Sequence, residues 1–167
     1  FHTAVVYINS AVMYNKNKML LTYDGATGIK TGYTKNAGRC LVSSAIKDGM
    51  EVVTVVLNCP DMWIQSKNML DNAFNNYSLK KIINHEDMVG FSTINTKSDE
   101  KIGLYIKNDV ILPLTNDEYD SLEIKYDYKK ELSVPFEKDE IVGEINIYAL
   151  KNLIFSEKIY TIVGKKN

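Results

Sequence analysis

Residues 23–45 read YDGATGIKTGYTKNAGRCLVSSA, and the rest of the chain is organised around this stretch. Gly28 to Thr34 is strand-like, follows a Tyr23-Asp24-Gly25 turn and leads through Lys35-Asn36-Ala37-Gly38 into a second apolar run. Side chains alternate along a strand, so Lys30 and Gly32 share one face while Thr31 and Tyr33 share the other. An ammonium therefore projects beside a position with no side chain, where a neighbouring element could approach the backbone closely. Taken alone, Lys30-Thr31-Gly32 is a short triplet that recurs by chance, most often as a lysine on a solvated strand. Its setting gives it weight.

Downstream, Arg39–Ile46 and Glu51–Asn58 read as two further strands joined by an Asp48-Gly49 turn. Both are apolar on either face, which predicts a sheet covered on both sides. Pro60 and Asp61 then open a helix to about Tyr77, with Met62, Trp63, Met69, Leu70, Ala73, Phe74 and Tyr77 at helical spacing as its core stripe. Upstream, residues 1–13 (FHTAVVYINSAVM) read as one apolar strand, Asn15–Lys18 as a polar turn, and Met19–Tyr23 as the lead into the central strand. From about Leu79 the pattern changes to short alternating runs at Lys101–Ile106, Val110–Leu114, Leu122–Tyr128, Leu132–Phe136, Glu140–Tyr148 and Leu153–Val163. Such runs, separated by turn signals, predict a small β-sandwich. The whole is an α+β chain with a boundary between residues 78 and 79.

Composition narrows the function classes. The formal net charge is −1 and the isoelectric point about 6.2, without the basic stripe that nucleic-acid binding requires. Of 20 basic residues only Arg39 is an arginine. No apolar run approaches the roughly 18 residues of a membrane span. The two cysteines, Cys40 and Cys59, are expected to be free, because a cross-strand diagonal fits disulfide geometry poorly. His2 and His85 are isolated, no cluster has metal-ligand spacing, and no cofactor is implied.

With Asn15-Lys16-Asn17-Lys18, Gly28-Ile29-Lys30-Thr31-Gly32-Tyr33-Thr34 and Ala37-Gly38-Arg39-Cys40-Leu41-Val42 in hand, the chain resembles the serine-type D-alanyl-D-alanine carboxypeptidases, the low-molecular-mass penicillin-binding proteins. The likeness continues through Asp48-Gly49-Met50, Val55-Val56-Leu57, Met69-Leu70-Asp71 and Phe74, and resumes at Pro135–Ile147. The family carries S-x-x-K, then S-x-N, then K-T-G, in that chain order. This chain supplies the third motif at Lys30. Ser44-Ala45-Ile46-Lys47, Ser78-Leu79-Lys80-Lys81 and Ser66-Lys67-Asn68 satisfy the other patterns but follow the third motif instead of preceding it. They read as a half-buried strand residue, a turn residue and a helix residue, respectively.

The resemblance implies that residues 1–78 are the C-terminal part of a β-lactamase/transpeptidase-like domain and residues 79–167 the β-sandwich that follows it. It also implies that the nucleophile and its base lie in a missing N-terminal part of the same protein, consistent with a start at Phe1 without an initiator methionine. Lys30 would place positive charge beside the S-x-N serine, and Thr31 would donate to the terminal carboxylate of D-Ala-D-Ala or of a β-lactam. Substrate peptide would lie along the strand past Gly32, and the Tyr33 N–H would form half of an oxyanion hole. Family members often carry an arginine near the start of the following helix, where it helps hold the substrate carboxylate; counted back from Phe74, Met62 holds that place here and no arginine lies nearby, so either another group does that work or substrate binding differs. The implied setting is extracytoplasmic, on peptidoglycan stem peptide, with the protein either secreted or peripheral on the outer face of the cytoplasmic membrane, the latter through a segment outside this chain. A non-catalytic relative that keeps the scaffold to bind cell-wall peptide or a partner protein is the alternative.

Overall fold

A computed structural model describes residues 5–8, 11–94 and 100–166, with side chains from Tyr14 onward. Two compact units, residues 1–79 and 80–167, are distinguished by their internal packing. His2 lies outside the described residues. So does part of the single strand expected over residues 1–13; the described part is a hairpin, β1 (Val5–Ile8) against β2 (Ala11–Tyr14).

The first unit continues with a single helical turn, α1 (Met19–Thr22), where the sequence suggested only a lead-in. Its Met19 N–H is held by the Asn17 Oδ1 at 3.1 Å. A three-stranded antiparallel sheet follows, in the order β3 (Ala26–Thr34), β4 (Gly38–Lys47), β5 (Met50–Val56), and the helix α2 (Met62–Asn76) packs on it. Register places Thr31 opposite Leu41 and Leu41 opposite Val56, so these three side chains share a face. On that face Leu41, Ala45, Met62 and Leu70 form the core, with Val52, Val56, Trp63 and Phe74 against them. Leu41 and Leu70 are fully buried, each stabilising by roughly 1.5–3 kcal/mol.

The buried stripe of α2 is Met62, Ser66 and Leu70, whereas Met69 is 45% exposed. On the opposite face Ser44 is buried against Thr27, while Ile46 is 44%, Val53 53% and Val55 55% exposed. Among the described residues α2 shields the Leu41 face.

The second unit holds a two-stranded sheet of β6 (Ser78–Ile83) with β9 (Val110–Leu114) and a larger six-stranded sheet. The larger sheet is built from β7 (Gly90–Ile94), β8 (Lys101–Tyr105), β10 (Glu123–Tyr128), β11 (Glu131–Leu132), β12 (Ile141–Ala149) and β13 (Asn152–Thr161), in the order β10-β12-β13-β8-β7-β11. Leu104, Ile145, Ile147 and Ile159 are fully buried in its core. Between β9 and β10 a short helix, α3 (Asn116–Asp120), is capped reciprocally by Thr115 and Glu118. The architecture is therefore α+β, a sheet-and-helix unit followed by a β-sandwich. Ser78 begins a strand instead of a turn, and the run expected over Leu132–Phe136 pairs only at Glu131–Leu132.

Candidate active site

The orientation of the β3 peptide groups follows from its neighbours. Residues of an antiparallel strand send N–H and C=O to the same flank, alternating flanks along the chain. On β4 the Ile46 N–H donates to the Gly25 C=O at 2.9 Å, on the β3 flank, and the Arg39 C=O accepts from the Cys59 N–H at 2.8 Å, on the β5 flank. Even-numbered residues of β4 thus bond to β3, and odd-numbered ones face β5. Since Tyr33 is opposite Arg39 and Thr31 opposite Leu41, Tyr33 and Thr31 form non-hydrogen-bonded pairs with β4. Their own N–H and C=O groups point outward from β3, which is the sheet edge among the described residues. The Lys30 Nζ accordingly finds the Thr31 C=O free and donates to it at 2.6 Å.

An open cleft of about 540 Å³ wraps this edge and is lined by Lys16, Lys30, Thr31, Gly32, Tyr33, Arg39, Met62 and Trp63. Its volume lies in the range of small-molecule and peptide sites. Three of the eight lining residues are cations and none is an acid. All four residues singled out in the sequence, Lys30, Thr31, Gly32 and Tyr33, meet in it. A Cβ built at Gly32 meets only the Cys40 Cβ, at 3.8 Å, an ordinary contact, so packing within the described residues does not itself demand glycine there.

Sequence reasoning overlooked Lys16, Trp63 and, above all, Arg39. The expected absence of an arginine near Met62 is corrected in space, because β4 brings Arg39 into the same cleft. The signal was present in the short loop: pairing Thr34 with Gly38 puts residue 33 opposite residue 39. Gly38 has a φ of 65° and sits so close to Asn58 that any Cβ would collide with its side-chain oxygen. Together with the Cys59 bond, this fixes the Arg39 backbone.

The other candidate serines stand elsewhere. Ser44 is 2% exposed, with its hydroxyl 2.5 Å from that of Thr27. Ser66 is fully buried within α2, and its hydroxyl has no partner among the described residues. Cys40 and Cys59 are free. By the register Cys40 projects with Gly32 from the sheet face opposite α2, while Cys59 packs into the α2 core, which separates the thiols. Among the described residues no group of His, Cys, Asp or Glu could hold a metal ion, and no helix is long and apolar enough to cross a membrane.

Two tyrosines carry displaced phenols. The Tyr23 hydroxyl donates to Asp71 Oδ1 at 2.8 Å, tying the entry of β3 to α2; burial, then that bond, raises its pKa far above the ordinary value. Tyr105 donates to Asp139 at 2.6 Å and is pushed up to about 12, chiefly by that bond. On the second unit the Asp109 carboxyl accepts from Lys81 Nζ at 2.5 Å and from the His85 N–H at 2.9 Å. These bonds, the Lys81 one foremost, hold it well below the usual carboxylate range.

This arrangement of sheet, helix and sandwich has relatives of known structure. Penicillin-binding protein 5 from Haemophilus influenzae superposes with a TM-score of 0.85, covering 100% of this chain and 50% of that one at 20% identity. D-alanyl-D-alanine carboxypeptidase DacD from Francisella tularensis superposes with a TM-score of 0.64 at 26% identity, over 93% of this chain and 40% of that one. The fold is thus that of the low-molecular-mass penicillin-binding proteins.

In sequence, the family model of D-alanyl-D-alanine carboxypeptidases matches residues 2–61, and that of the C-terminal domain of penicillin-binding protein 5 matches residues 77–164. The D-alanyl-D-alanine carboxypeptidase DacD of Salmonella typhimurium is 30% identical over 144 residues, which are 83% of this chain and 37% of DacD. DacF of Bacillus subtilis is 26% identical over 137 residues, 80% of this chain and 35% of DacF. The chain belongs to this D-alanyl-D-alanine carboxypeptidase family and spans little more than a third of the length of these curated relatives.

Proposed function

We propose that this chain supplies the substrate-binding edge strand of a serine-type D-Ala-D-Ala carboxypeptidase, an extracytoplasmic enzyme that removes the terminal D-alanine of peptidoglycan stem peptides and is acylated by β-lactams. The observation that carries the proposal is the outward direction of the Thr31 and Tyr33 peptide groups over a cleft that holds Lys30 and no acid. An extended peptide adds to such an edge by backbone pairing. The Tyr33 N–H then receives the oxygen of the scissile carbonyl as it becomes an oxyanion, and Thr31 Oγ1 donates to the terminal carboxylate.

The nucleophile and the S-x-N motif come from sequence preceding Phe1, in a fuller transpeptidase-like domain to which residues 1–78 contribute. The serine hydroxyl attacks the penultimate carbonyl, D-alanine leaves with a proton, and water hydrolyses the acyl ester. Lys30 favours proton movement towards the leaving amine by its positive charge. Residues 79–167 form a β-sandwich domain outside this chemistry.

Fluorescent penicillin tests the reading. The full-length protein should become covalently labelled, and residues 1–167 alone should not. Full-length protein that stays unlabelled would assign the scaffold to a binding role; labelling of the isolated chain would locate the nucleophile among its own serines.

A further inference from the structure

We infer that the outer face of the six-stranded sheet in the second unit is the interface of a two-fold dimer, covered by the same face of a second copy of this chain. This face takes no part in the acyl-transfer chemistry and does not depend on it. Leu104 and Thr161 are register partners and fully buried, which marks their side of β8 and β13 as the inner one, where β6 and β9 pack. Side chains alternate along a strand, so the flanking pairs, Tyr105 with Tyr160 and Gly103 with Ile162, point outward.

Register extends each pair into a row, Ile141–Tyr160–Tyr105 and, beside it, Ile162–Gly103–Phe91. The outer face of such a sheet is ordinarily polar. Here Phe91 is 51%, Ile141 54% and Ile162 44% exposed. Gly103 leaves a notch between Phe91 and Ile162, and Met88 lies across it, for a Cβ at Gly103 would stand 2.8 Å from Met88 Sδ. Met88 is itself 57% exposed. A contiguous apolar patch rich in aromatic and methionine side chains marks a protein contact, unlike apolar residues scattered singly.

The rim selects the occupant. Because β7 and β8 are antiparallel, the turn before Met88, with Glu86 and Asp87, lies at the Tyr105 end of the face, and Lys101 lies at the other. All three are exposed and enter no ion pair among the described residues. Neighbouring charges are engaged: Asp139 accepts from the Tyr105 hydroxyl, Lys107 Nζ sits 4.1 Å from the Tyr160 ring centroid, and Lys165 pairs with Glu100. A two-fold axis lying in the plane of the face and crossing the strands at Gly103 turns the second copy end for end. Each Lys101 then faces the Glu86–Asp87 turn of the other copy, and the apolar rows meet at the axis. An axis along the strands would set like charges together. An anionic lipid surface would meet Glu86 and Asp87 unfavourably.

Sedimentation equilibrium of the full-length protein tests this. Wild type should pass from monomer to dimer as concentration rises and go no further. Phe91→Glu, which puts an unpaired charge at the centre of the contact, should raise the dimer dissociation constant at least about 30-fold. Lys101→Glu should raise it roughly 3- to 10-fold, and adding Glu86→Lys and Asp87→Lys to that variant should bring it back to within about twofold of wild type. A protein that stays monomeric at every concentration, a dimer indifferent to Phe91→Glu, or a Lys101→Glu loss that the charge exchange does not reverse would overturn the inference. So would a monomer that floats with phosphatidylglycerol vesicles and loses that binding on Phe91→Glu, which assigns the face to lipid. Should Phe91→Glu fail to fold, Ile162→Lys takes its place: a weakened dimer supports the interface, and an unchanged one overturns it.

Discussion

Replacing the Tyr33 amide by an ester, so that oxygen stands where the N–H was, removes a single donor from the edge of β3 and leaves the side chain intact. Because Tyr33 pairs with Arg39 without ladder bonds, that N–H contributes nothing to the β3–β4 ladder. The only change within the ladder is a weaker acceptor at the Gly32 carbonyl, which faces β4, so the stability loss should stay below about 1 kcal/mol. Acylation should behave very differently. Loss of one donor from an oxyanion hole costs about 2.7–4 kcal/mol of barrier, or roughly 100- to 1,000-fold in rate. The assay is stopped-flow acylation of the full-length protein by penicillin, paired with a urea melt of the same sample. An unchanged acylation rate would refute the oxyanion role. A loss of several kcal/mol in the melt would refute the register deduced for the strand.

Other expectations concern stability. Leu70→Ala, which opens a cavity under α2 beside Met62 and Phe74, should cost about 2–5 kcal/mol in urea unfolding, whereas Met69→Ala on the exposed side should cost under about 0.5 kcal/mol. Tyr105 has a raised phenol, so its bond to Asp139 is fully present below the ordinary tyrosine value near pH 10 and fades as pH rises through about 12. Tyr105→Phe should remove that part of the alkaline limb of a stability–pH curve. Asp109 has a lowered carboxyl, so its contribution is present above the ordinary value near pH 4 and is lost as pH falls towards its own lower value. Asp109→Asn should flatten the acid limb without altering the alkaline one, measured by denaturant unfolding across pH.

Much of the first unit was legible because its local signals agree with its packing. The Asp48-Gly49 turn and the Val-rich runs around it fold as a hairpin, and the helix after Pro60 appears within a residue or two of its expected limits. Illegible parts depend on information beyond local pattern. Apolar residues on both sides of β4 and β5 look alike in sequence, yet only the Leu41 side meets α2. Ser66 occupies the buried stripe of that helix where an apolar residue was sought. Arg39 gives no local sign of the cleft, because its place there depends on being opposite Tyr33 across the hairpin, a relation set by loop length. In the second unit α3 was overlooked although Thr115-Asn116-Asp117-Glu118 is a capping-box pattern, and β7 was missed because Gly90-Phe91-Ser92-Thr93-Ile94 alternates too briefly to stand out.

The exposed valines and the outer flank of β5 have a practical consequence. Val52-Val53-Thr54-Val55-Val56 combines high strand preference with no charge after Glu51, and the outer flank of β5 carries no partner strand among the described residues. Such an edge is a template for pairing with another molecule of the same kind. Solutions of residues 1–167 alone should therefore assemble beyond the dimer as concentration rises, and a lysine in place of Val53 or Val55 should stop that growth.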